Sequence, residues 1–160
     1  MKTGAGFARG SSRQNYRTPP NFMQAAVSRF GPIAFDLAAE PENAQAERYL
    51  TEERDAFTFH WYQLSSGNLW LNPPFSNIEP WAEKCAVEAA KGARILFLTP
   101  ASVGSNWFRD HVFDKAMVFA LNGRLHFDPA RPKWGYPKDC ILSVYGIYSP
   151  GFEIWNWKKL

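Results

Sequence analysis

The sequence predicts an α/β domain, a mixed sheet with helices on both faces. Short apolar runs of strand length alternate with stretches of helical spacing along the first part of the chain. The last part holds apolar runs parted by turn residues with no helix between them, which predicts a mixed sheet with an antiparallel far edge. The 160 residues suffice for one domain with a real hydrophobic core but not for two.

Positions 1–14 are rich in Gly and Ser and read as a flexible basic arm, leaving 15–160 as a single domain. Lys2, Arg9, Arg13 and Arg17 all precede the first acid, Asp36, so the arm suits contact with phosphates. Thr18-Pro19-Pro20 reads as a helix start, with Thr18 as N-cap and proline in the first turn. Phe22, Ala26 and Phe30 then share a face, and Gly31-Pro32 ends the helix. Positions 33–38 form a short buried strand, 41–48 a short helix and 49–50 a short strand. Positions 57–64 are ambiguous. Leu69-Trp70-Leu71 is the end of a buried strand.

Positions 78–91 are the clearest helix. Trp81, Cys85, Glu88 and Ala89 keep helical spacing, Gly92 ends the run, and Trp81 reads as core. Positions 94–98 are a buried strand, ended by Thr99-Pro100, and 106–115 look helical. Positions 117–121 and 125–127 flank Asn122-Gly123, a tight-turn pair. Positions 129–138 are a basic, proline-rich loop. The runs 140–148 and 152–157 read as two strands joined by Ser149-Pro150-Gly151.

Composition narrows the function. The net charge of +3 permits contact with DNA without arguing for it. The 7 Trp, 13 Phe and 6 Tyr supply a core, and the surplus suits a protein that stacks flat rings. Cys85 and Cys140 are neither paired in a CxxC nor set beside a His at ligand spacing, which argues against zinc and fits a reducing cytoplasm. No signal peptide and no membrane-length apolar run is evident. His60, His111 and His126 are isolated, so no metal site is expected. There is neither a nucleophile elbow nor a phosphate-cradling loop.

Asn72-Pro73-Pro74-Phe75 is the most informative stretch. Two consecutive prolines donate no hydrogen bonds to a ladder, so the chain must leave the sheet in a stiff turn. That turn presents an amide (Asn72), a carbonyl (Pro73) and an aromatic face (Phe75). Two acceptors and a flat apolar surface suit a planar ring with an exocyclic amine. Asp36 lies in an apolar strand, where an acid needs a partner. Both Asp36 and Asn72 lie near carboxyl ends of strands, where open α/β sheets bind ligands.

The turn resembles the Asn-Pro-Pro-aromatic motif of amino-methyltransferases, which use S-adenosylmethionine. A longer series of landmarks resembles the compact DNA N-6-adenine methyltransferases of phages and prophages. It runs through Tyr16-Arg17-Thr18-Pro19, Phe30-Gly31, Phe35-Asp36-Leu37-Ala38-Ala39, Glu42-Asn43-Ala44 and Arg48-Tyr49. It continues through Asp55, Trp61, the Leu69–Phe75 stretch, Trp81, Leu98-Thr99-Pro100-Ala101, Trp107-Phe108 and Gly123-Arg124-Leu125-His126-Phe127. Three features depart from the pattern: no Gly-x-Gly loop follows the strand at 33–38, Phe75 replaces the commoner tyrosine, and the segment between Asp36 and Asn72 is short for a full set of cofactor-binding strands.

The resemblance implies a Rossmann-like methyltransferase domain that moves a methyl group from S-adenosylmethionine to adenine in double-stranded DNA, the target base flipped out. It implies catalytic roles for Asn72, Pro73, Pro74 and Phe75. Thr18, Pro19, Asp36, Ala38, Asp55 and Asn72 would contact the cofactor, and Arg124, Arg131, Lys133 and Lys138 the DNA. It further implies a phage or prophage protein in the bacterial cytoplasm, linked to restriction and modification. The residues also admit a protein methyltransferase acting on a glutamine amide, since that amide is planar and amine-bearing. A non-catalytic nucleic-acid-binding phage protein is the third alternative, favoured by the missing glycine loop.

Overall fold

Two prolines set the start of the first helix. Pro19 takes the N-cap with φ −59° and ψ 136°, and Pro20 the first helical position, where its missing N–H costs nothing. The computed structural model describes residues 17–127 and 136–159. α1 (Pro20–Phe30) ends at Gly31, whose φ of 96° suits glycine alone without strain. Thr18 does not cap this helix, which has no side-chain cap bond.

The described residues form one six-stranded sheet: β1 (Ile33–Asp36), β2 (Asn68–Leu71), β3 (Arg94–Pro100), β4 (Met117–Leu121), β5 (Cys140–Tyr145) and β6 (Gly151–Trp155). Their order is β1-β2-β3-β5-β4-β6. β1, β2 and β3 are parallel, β5 runs against both β3 and β4, and β6 is parallel to β4. Every strand except β5 therefore points its carboxyl end at the same rim, and β5 begins there, with Cys140 opposite Pro100.

Strand alternation divides the core in two. Leu69, Leu71, Ile95, Phe97 and Ile141 face α3 (Glu79–Ala90), α4 (Asn106–His111) and the short α2 (Trp61–Leu64), in one buried cluster with Ala82, Cys85 and Phe108. Trp70, Leu96, Leu98, Leu142 and Val144 face α1 in a second cluster with Phe22, Met23 and Ala26. Phe22 sits 5.3 Å from Trp157, edge to face, and 6.3 Å from Trp70. The mixed α/β sheet with helices on both faces is thus as the sequence predicts, consistent with a methyltransferase-like domain. Among the described residues no helix is long and apolar enough to cross a membrane.

Several local expectations fail for identifiable reasons. Residues 41–48 form turns and bends, not a helix. There Asn43 Oδ1 accepts from Glu40 N (2.9 Å), Gln45 Nε2 donates to Asn43 O (3.0 Å) and Asp36 Oδ2 takes Gln45 N (2.9 Å). Such side-chain bonds compete with helical ones. Asn122-Gly123 closes no hairpin, because β4 is already flanked by β5 and β6, and Asn122 N donates to Trp155 O at 2.9 Å. Leu125 and Phe127 are buried without forming a strand. β5 and β6 do not pair with each other, and the far edge strand β6 is parallel, so the antiparallel strand is internal. α4 stops at His111, short of position 115. Positions 57–64 resolve into a 3₁₀ turn (Ala56–Thr58) and α2.

Candidate functional site

The rim where the parallel strands end opens into a cleft of about 750 Å³. Three stretches wall it: Arg17 and Thr18 before α1, the segment from Asp36 to Phe57, and the turn after β2 together with Trp81 of α3.

Asp36 ends β1 and is 2% exposed. Its main chain is fixed between two neighbours: Asp36 N donates to Arg48 O (3.0 Å), Leu50 N to Asp36 O (2.9 Å), and the next residue's N–H to Trp70 O (2.9 Å). The carboxylate accepts from Ala38 N (3.2 Å) and Gln45 N (2.9 Å). Burial pushes its pKa up to about 6, a rise these two N–H groups only partly offset. So the chain uses a carboxylate-centred turn where a glycine loop was looked for, and Ala38 forms part of the cleft wall.

Asn72 follows β2 directly. Its Nδ2 donates to Thr18 Oγ1 at 3.0 Å. The sequence signals these two residues separately, and the fold brings them together at the cleft. Pro19 caps α1 next to Thr18 and does not line the cleft. Pro73 is buried, Pro74 lines the cleft, and Phe75 is half-buried beside it rather than in it. The Phe75 ring packs edge to face on Phe127 (6.1 Å) and Tyr136 (5.7 Å), and those two rings meet at 5.5 Å.

At the far side Asp55 accepts from Phe57 N (2.9 Å), capping the 3₁₀ turn, and also lines the cleft. Phe57 and Trp81 lie 4.4 Å apart, with Trp61 stacked behind Trp81 at 6.3 Å. Trp81 was expected in the core; it is half-buried and serves as a cleft wall as well. Sequence reasoning missed Phe57, and also the acids Glu40, Glu52 and Glu53, which line the cleft with Asp36 and Asp55. The crowding of Glu52, Glu53 and Asp55 within four positions was the available signal.

The proposed DNA contacts divide. Arg124 and Lys138 are exposed at the same rim, after β4 and before β5, with Arg124 Nε 3.8 Å from Asp139 Oδ1. Arg131 and Lys133 lie outside the described residues, as does the arm at 1–14. Lys158 and Lys159, after β6, add exposed positive charge to this rim. Among the described residues no cluster of three or more His, Cys, Asp or Glu could hold a metal ion.

A family model described as DNA N-6-adenine-methyltransferase (Dam) matches residues 8–140, from the basic arm to the start of β5. The chain belongs to this family. A DNA N-6-adenine-methyltransferase of Escherichia phage T1 is 26% identical over 116 residues, 72% of this chain and 48% of the phage protein. The Escherichia coli (strain K12) protein named "Putative methyltransferase YfdM" is 32% identical over 69 residues, 41% of this chain and 71% of that one. The chain thus spans about half the length of its T1 relative. The stretch shared with the Dam family contains all the cleft residues and two of the four described rim cations, Arg124 and Lys138.

Proposed function

We propose that this protein is a DNA adenine-N6 methyltransferase that takes its methyl group from S-adenosylmethionine. One observation carries the reading: the Asn72-Pro73-Pro74 corner opens onto an acid-lined cleft at the carboxyl rim of the sheet. Membership of the Dam family supports the substrate class.

The cleft suits the cofactor. Its volume of about 750 Å³ lies in the usual range for small-molecule sites. Among the described residues five acids line it against one base, Arg17, a balance that favours a ligand bearing a sulfonium and an ammonium. Asp36 and Ala38 would hold the ammonium or ribose, Thr18 would form the near wall with Pro19 fixing it from the start of α1, and Asp55 would accept from the adenine amine. Phe57 and Trp81 offer that ring an aromatic face. When bound, S-adenosylmethionine supplies a methyl group already activated for displacement.

The residues of this chain then position the acceptor. Asn72 Oδ1 and the Pro73 carbonyl accept the two hydrogens of the target amine. The nitrogen lone pair of adenine is delocalised into its ring, so holding both hydrogens out of plane favours a tetrahedral, more nucleophilic nitrogen. Pro74 stiffens the corner. Phe75 stacks on the flipped base, offsetting part of the few kcal/mol that extrusion costs. Its edge-to-face contacts with Phe127 and Tyr136 brace the ring. Arg124 and Lys138, with Arg131 and Lys133 beyond the described residues, take backbone phosphates. Residues 15–160 act as one catalytic domain behind the basic arm at 1–14. This reading fits a phage or prophage protein working in the bacterial cytoplasm, with evasion of restriction as one use.

Incubation with labelled S-adenosylmethionine and unmethylated DNA, followed by digestion to nucleosides, tests it. Label in N6-methyladenine is expected. Label in added protein instead would favour a glutamine-amide methyltransferase, and none anywhere would end the catalytic reading.

A further inference from the structure

Residues 47–55 sort their charges by direction. Glu52, Glu53 and Asp55 line the cleft, whereas Arg48 and Arg54 line a separate surface depression of about 470 Å³ on the outer side of β1. Thr51 belongs to both walls, so the two recesses adjoin. Two local features produce the sorting. Arg48 and Leu50 are held against Asp36 by backbone bonds of 3.0 and 2.9 Å, which places Tyr49 alongside the end of β1. The chain then turns, with Arg54 N donating to Thr51 O at 3.0 Å, and Arg54 returns to the same side as Arg48.

Each guanidinium lies over a ring, Arg48 at 5.1 Å from the Phe35 centroid and Arg54 at 5.4 Å from that of Phe59. A guanidinium resting on an aromatic face is oriented in advance and keeps its N–H fork for a second partner. Neither makes an ion pair among the described residues, unlike Arg29, Arg109 and Arg124. Glu47 is the acid in the depression, so two fixed cations face one carboxylate there.

We infer that Arg48 and Arg54 form a phosphodiester-binding site for the DNA strand whose target base reaches the Asn72 corner of the adjoining cleft. This rests on the proposed function and extends it to the opposite flank from Arg124 and Lys138. A fork of N–H groups pairs with two phosphate oxygens, and the acids next door hold the polyanion to the Arg side of Thr51. S-adenosylmethionine carries no phosphate, so the cofactor is not the source of this anion. With cations on both flanks, the duplex is gripped on either side of the extruded nucleotide.

The test is duplex DNA binding by fluorescence anisotropy across a salt series, for wild type, Arg48→Gln, Arg54→Gln and the double variant. Cofactor affinity and thermal melts are measured on the same samples. Both arginines are exposed, and the variants are expected to melt like wild type with unchanged cofactor affinity. Each substitution should reduce the magnitude of the slope of log K against log salt by about 0.9, and the double by about twice that. A double variant with wild-type affinity and slope overturns the inference and leaves the methyltransferase reading standing. Wild type that binds the cofactor but no DNA overturns both. A site that takes inorganic phosphate while DNA binding is unaltered in the double variant also overturns it, in favour of a free anion.

Discussion

The Asn72 amide donates to the Thr18 hydroxyl at 3.0 Å, joining two segments 54 positions apart. The bond orients the amide: Nδ2 is turned to the N-terminal segment, and the acceptor oxygen takes the opposite side. Thr18 is thus a positioning residue for Asn72, whatever else it touches.

Asn72→Ala should lower methyl transfer at least 100-fold while the melting temperature changes little, since Asn72 is half-buried and belongs to neither core cluster. Thr18→Val keeps the shape and removes the acceptor. It should lower kcat about 10-fold, because the amide loses the Thr18 bond that helps to turn it. Steady-state kinetics on unmethylated DNA separates these outcomes. Near-normal kcat in Asn72→Ala would remove the corner from the chemistry.

Asp36 makes stability depend on pH in a stated direction. Its pKa is raised from 3.8 to about 6 in the folded protein, chiefly by burial. The stability it contributes is fully present below pH 3.8 and is lost as pH rises through about 6, roughly 3 kcal/mol in all. Asp36→Asn should flatten this part of the profile in thermal melts between pH 4 and 8. A bound cationic ligand stabilises the carboxylate, so cofactor affinity should fall as pH drops below about 6, with proton uptake or release visible by calorimetry in two buffers. An Asn variant with the wild-type pH profile would show that another group governs it.

Phe57 and Trp81 together form the aromatic side of the cleft. Trp81→Ala should weaken cofactor binding by about 10- to 100-fold if a ring stacks there. Phe57→Ala should have a smaller effect, as Phe57 is 39% exposed and Trp81 keeps Trp61 behind it. Calorimetry with S-adenosylmethionine reads both. Equal, wild-type affinity in the two variants would assign the rings to packing alone.

Gly146 supplies a contrast outside the site. Its φ is 77°, and a Cβ there would run into the carbonyl of Ala93 at the entry to β3. Gly146→Ala should cost about 1–3 kcal/mol in chemical denaturation and leave cofactor affinity of the folded fraction unchanged. A neutral effect on stability would mean that the β3–β5 end shifts freely.

Much of the fold was legible because strands buried on both faces leave continuous apolar runs, as in Leu69-Trp70-Leu71. The corner at Asn72 was legible because consecutive prolines exclude other structure. The turn at 41–48 was not, since it is held by a bond from Gln45 N to the Asp36 carboxylate, nine positions earlier in the chain. Strand order was hidden for a similar reason: adjacency of β5 and β6 in sequence says nothing of β4 lying between them. Trp81 keeps the same helical spacing whether its outer edge meets protein or an opening. The charge sorting of residues 47–55 depends on which way each side chain leaves the backbone, and spacing alone does not encode that.

The reversed direction of β5 has a practical consequence. β4 ends and β5 begins at the same rim of the sheet, so the segment joining them starts and finishes at one edge. Its length between Phe127 and Tyr136 is therefore not set by the register of either strand. Exchanges confined between Phe127 and Tyr136 would spare the two rings that pack on Phe75.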